Sequence, residues 1–439
     1  MRVVTPTPDE TYLRDFYRGV QEHPFLQPED PLVVDFHSRM RTDDRIANDP
    51  IAFLIKDILW SASNSSLKML SGFRGSGKTT ELLRLRKLLR EERYVVLYIN
   101  IEDYVEVKQP LDPTSFLISL VGAFEAAARG EGGDPNDDHA GVAYVDEPAA
   151  WWQRVRDTLG RNVEFTGGGI DLGVASIDVE LRENPEFRAR VRRAIEGSLG
   201  SFRKQAHEYV GELVAKIRES ARDSCGVVLV VDSLDHADNR SNFEELRNSI
   251  LELFTGHHSL LTLPDMHIIY TVPPYLKFMS AGSADVRMLT TLKVAGPDGT
   301  EFRPGVEALI EMVRRRAPDG DHERLLGSEE ALVRLIRASG GHLRDLLRLL
   351  REVCASPLRS LPAGPGIIDH AEATVRNTLL PLAENEKAWL RRVQANRDPG
   401  LERDEQWGTL AGLFDRHLIL GYVNGEEWYG VHPLVAELL

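Results

Sequence analysis

The segment Gly72-Phe-Arg-Gly-Ser-Gly-Lys-Thr79 satisfies the pattern G-x-x-x-x-G-K-[ST], whose recurrent chemistry is to hold the phosphates of a nucleoside triphosphate. Its glycines let successive main-chain N–H groups turn inward around the β- and γ-phosphates, and the start of a helix adds a partial positive charge. Lys78 supplies a mobile ammonium and the Thr79 hydroxyl a ligand for Mg2+. The candidate nucleotide contacts are Gly72, Arg74, Gly75, Ser76, Gly77, Lys78, Thr79 and Thr80. A second chemical element is Val227-Val-Leu-Val-Val-Asp-Ser-Leu-Asp235, an apolar run closed by an acid. Asp232, at the carboxyl end of a buried strand, can hold magnesium through water, which makes Thr79 and Asp232 the candidate metal ligands. Asp235 is the nearest carboxylate able to act as base on an attacking water; a cap for the segment that follows is the alternative role. No guanine-reading Asn-Lys-x-Asp element is present, which favours ATP over GTP.

These groups need a scaffold. Leu67-Lys-Met-Leu70 reads as a strand and residues 80–92 as a helix, so the glycine turn has a strand before it and a helix after it, as its chemistry requires. Residues 94–101, 226–231 and 266–271 are nearly continuous runs of β-branched, aliphatic and aromatic residues, the pattern of strands covered on both faces, and residues 286–294 read as a fifth. The expected fold class is α/β: a phosphate-loop NTPase with a parallel sheet flanked by helices.

Residues 51–61 read as a lead-in helix and 116–129 as another, and the acidic, glycine-rich 130–147 as a mobile surface loop. Residues 166–181 alternate apolar and polar positions in their second half and read as an inserted hairpin. Residues 185–221 read as one or two amphipathic helices carrying Arg188, Arg190, Arg192 and Arg193, either a solvated face or a partner or nucleic-acid surface. Beyond the last strand the pattern is helical over 305–316, 328–339, 343–355 and 367–382. A helix over 410–419 then feeds a hairpin over 422–431 turning at Asn424-Gly425, a winged-helix outline. The expected organisation is an arm (1–44), an ATPase core (45–300, with an inserted region at about 130–222), a helical lid (301–383) and a C-terminal winged-helix domain (384–439).

Composition sets the outer limits. The 439 residues are 42% hydrophobic and 28% charged, which excludes a collagen, a disordered tail and a disulfide mini-scaffold. A net charge of −15 argues against a surface that binds nucleic acid all over. Cys225 and Cys354 are the only cysteines and cannot build a zinc site or a disulfide framework, which points to a reducing, cytoplasmic setting. The start has prolines and acids where a signal peptide needs an apolar core, and no window approaches the ~20 apolar residues of a membrane span, so no membrane partner is expected.

On the phosphate loop, the Asp232 strand and the helical portion that follows, the chain resembles the AAA+ and STAND phosphate-loop ATPases, including origin-recognition-type initiators and the NACHT and NB-ARC switches, over about residues 45–439. The resemblance implies ATP and Mg2+ as ligands and adds roles. Thr271 stands where that group places a polar first sensor orienting the attacking water. In Ser339-Gly-Gly-His-Leu-Arg344, the arginine matches a second sensor that reaches the γ-phosphate. Arg287 matches the place of a neighbouring subunit's arginine finger. His432 resembles the histidine of the Met-His-Asp signature that senses the β-phosphate of ADP, with Pro433 where the signature has its acid; a packed core histidine is the alternative. Many related ATPases carry a glutamate directly after the strand acid, and here the position is Ser233, so the base comes from elsewhere or hydrolysis is slow. The catalytic candidates are Lys78, Asp232, Asp235, Thr271 and Arg344, with His432 among the nucleotide contacts.

Three functions compete. The first is an ATP-binding, slowly hydrolysing switch or assembly ATPase, a nucleotide-dependent homo-oligomer in some states. The sequence holds only a short arm before the ATPase, so protein partners are expected to supply sensor and effector; the setting by analogy is bacterial defence or signalling. The second is a DNA-engaging initiator or transposition-type ATPase using its winged helix or the basic Arg188–Arg193 helix. The winged helix is disfavoured because residues 385–439 carry six basic against nine acidic side chains, with Arg416 alone on the helix that would enter the groove, which leaves the basic helix as the route to DNA. The third is a nucleotide-stabilised scaffold that never turns over, which Ser233 allows.

Overall fold

The structure is a computed structural model that describes residues 7–21, 26–39, 49–131, 141–146, 150–159, 175–236, 243–279, 285–357, 361–400 and 407–439. It divides into two compact units. One comprises Pro50–Ser71 and Glu81–Met288; the other comprises Met1–Asp49, Gly72–Thr80 and Leu289–Leu439.

The first unit is built on five strands: β1 (Ser66–Gly72), β2 (Tyr94–Asn100), β3 (Gly226–Asp232), β4 (His267–Val272) and β5 (Val286–Leu289), in the order β2-β3-β4-β1-β5. β1 pairs parallel with β4, β4 with β3 and β3 with β2. Every residue of β3 and β4 is buried, as their apolar runs demand of strands covered on both faces. Leu70 pairs with Thr271, Val231 with Tyr270 and Asn100 with Asp232, so the carboxyl ends of four strands finish on one edge. The strand carrying Asp232 is separated from the strand that feeds the glycine loop by β4, and β4 ends at Thr271 and Val272.

The helix Pro113–Ala128 is capped by Asp112 and buried on nearly every side, the state of a helix inside a core rather than on it. It packs with the helices Pro185–Ile195 and Leu199–Ser220 into one apolar cluster with the sheet. Buried Glu125 accepts from the backbone N–H groups of Ala150 and Trp151 at 2.7 and 3.3 Å and from the Tyr209 hydroxyl. It thereby places an acid at the start of the helix Trp151–Leu159, where the macrodipole favours one.

In the second unit the helices Arg303–Arg316, Glu329–Ser339, Leu343–Ala355, Pro365–Thr378, Glu384–Asn396 and Trp407–Asp415 lead to an antiparallel hairpin of β6 (Ile419–Asn424) and β7 (Glu426–Val431). The Leu343–Ala355 helix buries Leu346, Leu349, Leu350 and Val353 on one stripe, the spacing that folds a helix onto a core. At the other end of the sequence, Thr7 and Glu10 form a capping box for the helix Pro8–Gly19, which buries Tyr12 and Phe16. The Tyr12 hydroxyl donates to the carbonyl of Asp321, and Asp9 pairs with Arg324 at 2.8 Å.

Several sequence expectations are corrected. Residues 175–181 are helical within Ala175–Glu183, not the second strand of a hairpin; residues 166–174 lie outside the described residues. Ile177, Val179 and Leu181 fit a strand's alternation, yet Ile177 and Leu181 are also four apart, and the helix buries both while Val179 faces solvent. In the acidic stretch 130–147, Tyr144 and Val145 both donate backbone N–H groups to the Ala128 carbonyl and Val145 is buried, so this end is docked on the core; residues 132–140 and 147 lie outside the description. The fifth strand stops at Leu289, after which Thr291 donates to the Gly421 carbonyl. Of the one or two helices expected over 185–221, the structure has two, Pro185–Ile195 and Leu199–Ser220, separated by the tight turn Glu196–Ser198. The C-terminal hairpin pairs Asn424 with Glu426 and so closes around Gly425, one residue tighter than an Asn424-Gly425 turn. Among the described residues no helix is long and apolar enough to cross a membrane.

Candidate phosphate-binding site

β1 runs directly into the glycine loop, and the helix Lys78–Glu91 opens at its end. Gly75 and Gly77 adopt φ of +85° and +90°, a region that side chains with a Cβ enter only under strain. Lys78 is buried and its Nζ donates to the carbonyls of Gly72 and Phe73, each at 2.8 Å, so the ammonium is held within the loop it serves. Among the described residues the buried Ser76 hydroxyl has no hydrogen-bond partner, an orphan donor of the kind a phosphate oxygen satisfies. Thr79 and Thr80 fall in the first turn of the helix, where N–H groups point out of its end.

Arg344 lies on this loop. A Cβ built on Gly75 would come within 2.7 Å of Arg344 Cβ and 2.9 Å of its Nε, and one built on Gly77 would sit 3.5 Å from Leu343 Cδ1. The first turn of the Leu343–Ala355 helix is therefore packed over the two left-handed glycines. Next to Arg344, His342 places Nε2 2.9 Å from the Arg74 carbonyl and Nδ1 2.8 Å from Asp345 Oδ2. His432 places Nε2 3.2 Å from the same Asp345 oxygen, and its Nδ1 accepts from the Leu434 N–H at 3.2 Å. Asp345 is fully buried and also takes Arg348 Nη1 on Oδ1 at 3.2 Å. Burial pushes its carboxyl upward, but hydrogen bonds from His342 and His432 and the nearby charge of His342 outweigh burial and hold it well below the usual carboxylate range. Burial pushes the His432 ring below the ordinary histidine value, with Asp345 opposing. The structure thus joins Arg344 to the loop, and joins His432 to it through Asp345 and His342.

At the sheet edge, Asp232 accepts from the Tyr98 hydroxyl on Oδ2 and from the Ser233 N–H on Oδ1 at 2.7 Å. Asp232 is thus a buried carboxylate held in place at the end of β3, of the residue type that can hold magnesium through water. Ser233 has φ of 73°, which a non-glycine residue adopts at a cost. Thr271 is wholly buried at the end of β4, and its hydroxyl has no hydrogen-bond partner among the described residues. Asp235 lies in the short 3-10 turn Leu234–His236 and is partly exposed.

Other basic candidates are occupied within the protein. Arg287 faces Asp57 at 3.7 Å and Asp285 at 3.5 Å, with its guanidinium over the Phe53 ring. Arg188 donates to the Leu181 and Arg182 carbonyls at 2.9 and 2.7 Å, closing the preceding helix. Arg416 falls just past the Trp407–Asp415 helix; it pairs with Glu386 at 2.7 Å and donates to the carbonyls of Leu379 and Pro381. Sequence reasoning missed Tyr98, His342, Asp345 and His417. The only local signal was His342 and Asp345 flanking Arg344.

No protein-family model matches the chain, and no curated protein matches it. Among solved structures the chain is similar to the ORC2 protein of Aeropyrum pernix, described in ADPNP-ADP complexes, with 12% sequence identity and a TM-score of 0.38 over 95% of this chain and 93% of that chain. The five-stranded sheet, the glycine loop that follows β1 and the helix that opens at Lys78 make this an α/β phosphate-loop NTPase fold.

Proposed function

We propose that the chain is an ATP-binding, slowly hydrolysing ATPase of the AAA+/STAND kind, acting as a switch or assembly protein with separate sensor or effector partners. The observation that carries this reading is the packing of Arg344 on Gly75, which puts a guanidinium beside the loop that would hold the phosphates. The loop amides and Lys78 hold the triphosphate, and Arg344 adds positive charge where negative charge develops. Thr79 and Asp232 hold Mg2+, which when bound neutralises phosphate charge. Thr271 orients the attacking water and Asp235 accepts its proton. Ser233 offers no carboxylate directly after Asp232, which is why turnover is expected to be slow.

The winged-helix-like end is read here as a protein-facing and nucleotide-sensing element. Arg416 is spent on Glu386 and two carbonyls, and Glu426 and Glu427 are exposed on the hairpin, a surface poorly suited to phosphates. Calorimetry with Mg-ATP and Mg-ADP, with steady-state phosphate release, tests the proposal on wild type, Lys78→Ala and Arg344→Ala. Lys78→Ala is expected to abolish binding, and Arg344→Ala to keep ADP but lose preference for ATP and turnover. A wild-type chain that ignores adenine nucleotides removes the proposal; one that binds ATP without phosphate release leaves the scaffold reading in its place.

A further inference from the structure

His342 is buried, and each of its ring nitrogens faces an acceptor: Nδ1 the Asp345 carboxylate at 2.8 Å, Nε2 the Arg74 carbonyl at 2.9 Å. A carbonyl only accepts, so Nε2 carries a proton. Asp345 takes the Arg348 guanidinium on one oxygen and, because His432 Nδ1 accepts from Leu434, the His432 Nε2–H on the other. Those donors make Asp345 a carboxylate, and Nδ1 of His342 must then carry a proton as well.

A transition metal shared by His342, Asp345 and His417, whose ligand atoms lie within 4.8 Å of one another, fits less well. The His342 and His417 rings are stacked, with centroids 4.6 Å apart and planes 20° apart, so one ion cannot lie in both ring planes. The 2.8 Å separation is that of a charge-assisted N–H···O bond. Stacking instead sets the His417 face against the His342 ring, an arrangement that favours a cation in the latter.

We propose that His342 is a doubly protonated positioning residue that clamps the phosphate loop at the Arg74 carbonyl, with Asp345 as its counter-ion and His432 fixing Asp345 from the segment after β7. The position of the C-terminal hairpin is thereby linked to the shape of the loop through three side chains. This rests on the nucleotide-site reading for its consequence, while the protonation state stands apart from it.

The test uses the full chain labelled with 15N-histidine. Long-range ring correlations are expected to show one histidine with both nitrogens protonated and hydrogen-bonded, a signal absent in His342→Gln and lost in Asp345→Asn. Titration with a fluorescent ATP analogue is expected to show about tenfold weaker binding in His342→Ala, the scale of one lost hydrogen bond to a charged donor. His342→Gln, which keeps a donor for Arg74, is expected to stay within about threefold of wild type. A neutral His342 in the wild type overturns the proposal, as does wild-type affinity in a folded His342→Ala. Should that variant fail to fold by circular dichroism, the wild-type ring spectrum and His342→Gln decide. Should the wild type bind no nucleotide, the function reading fails and the ring spectrum alone decides this one.

Discussion

Arg344 and Gly75 occupy adjoining space so closely that a methyl group at position 75 would meet Arg344 Cβ at 2.7 Å. The clash is with the root of the side chain, which moves only if its helix moves, and the backbone at 75 is left-handed besides. Gly75→Ala is therefore expected to weaken Mg-ATP binding tenfold or more, and to lower stability by about 1–3 kcal/mol. Calorimetry and urea denaturation on the same preparation measure both; unchanged affinity would show that the loop and the arginine helix separate freely.

The Tyr98 hydroxyl fixes Asp232. Removing an outer-shell donor of this sort lowers metal affinity or activity by about 10–100-fold, whereas the net loss of one hydrogen bond from the fold is about 1 kcal/mol. Tyr98→Phe should raise the magnesium concentration needed for half-maximal phosphate release without a matching loss of melting temperature. An unchanged magnesium dependence counts against Asp232 as a metal-binding acid.

Stability is expected to fall as pH drops below about 6.5. His417 is held well below the ordinary histidine value, by burial first and then by the charge of His342, and His432 is lowered by burial. Both are neutral when folded and gain protons on unfolding, so the unfolded chain binds more protons below 6.5 and stability rises with pH there. Asp345, held low, adds a further loss only in the carboxylate range near 4 and below. The rings face His342, Asp345 and Arg348, which remain in a His417→Gln variant. That variant should flatten the slope of unfolding free energy between pH 5 and 6.5 by up to about 1.4 kcal/mol per pH unit, one proton's worth. Parallel slopes in urea titrations would show that His417 charges freely in the folded chain.

Ser233 holds a left-handed backbone at φ 73°, and its N–H bond to Asp232 needs no side chain. Ser233→Gly is expected to raise stability by about 0.5–1 kcal/mol, the relief of left-handed strain less the extra entropy of glycine when unfolded. A lower urea midpoint would mean that the serine hydroxyl contributes more than the strain removes.

The strands were legible because each is a local run of apolar residues, and the glycine loop because its chemistry is contiguous from Gly72 to Thr79. Reading failed where one pattern serves two periods. Ile177, Val179 and Leu181 satisfy alternation and helical spacing alike, and only the packing of Ile177 and Leu181 chose the helix. It also failed where a helix start is set by a distant group: Glu125 accepts from the N–H groups that open Trp151–Leu159, and nothing near Trp151 in the sequence announces it.

By itself the sequence determined the phosphate loop, the acid-tipped strand and the α/β class, since these follow from neighbours along the chain. Tertiary structure decided which groups hold the site's side chains in place. Tyr98 and Asp232 are 134 residues apart, Asp345 and His432 are 87 apart, and Arg74 and His342 are 268 apart. A buried carboxylate or carbonyl must find a donor, but which donor reaches it is fixed by how the elements pack, and no local spacing encodes that.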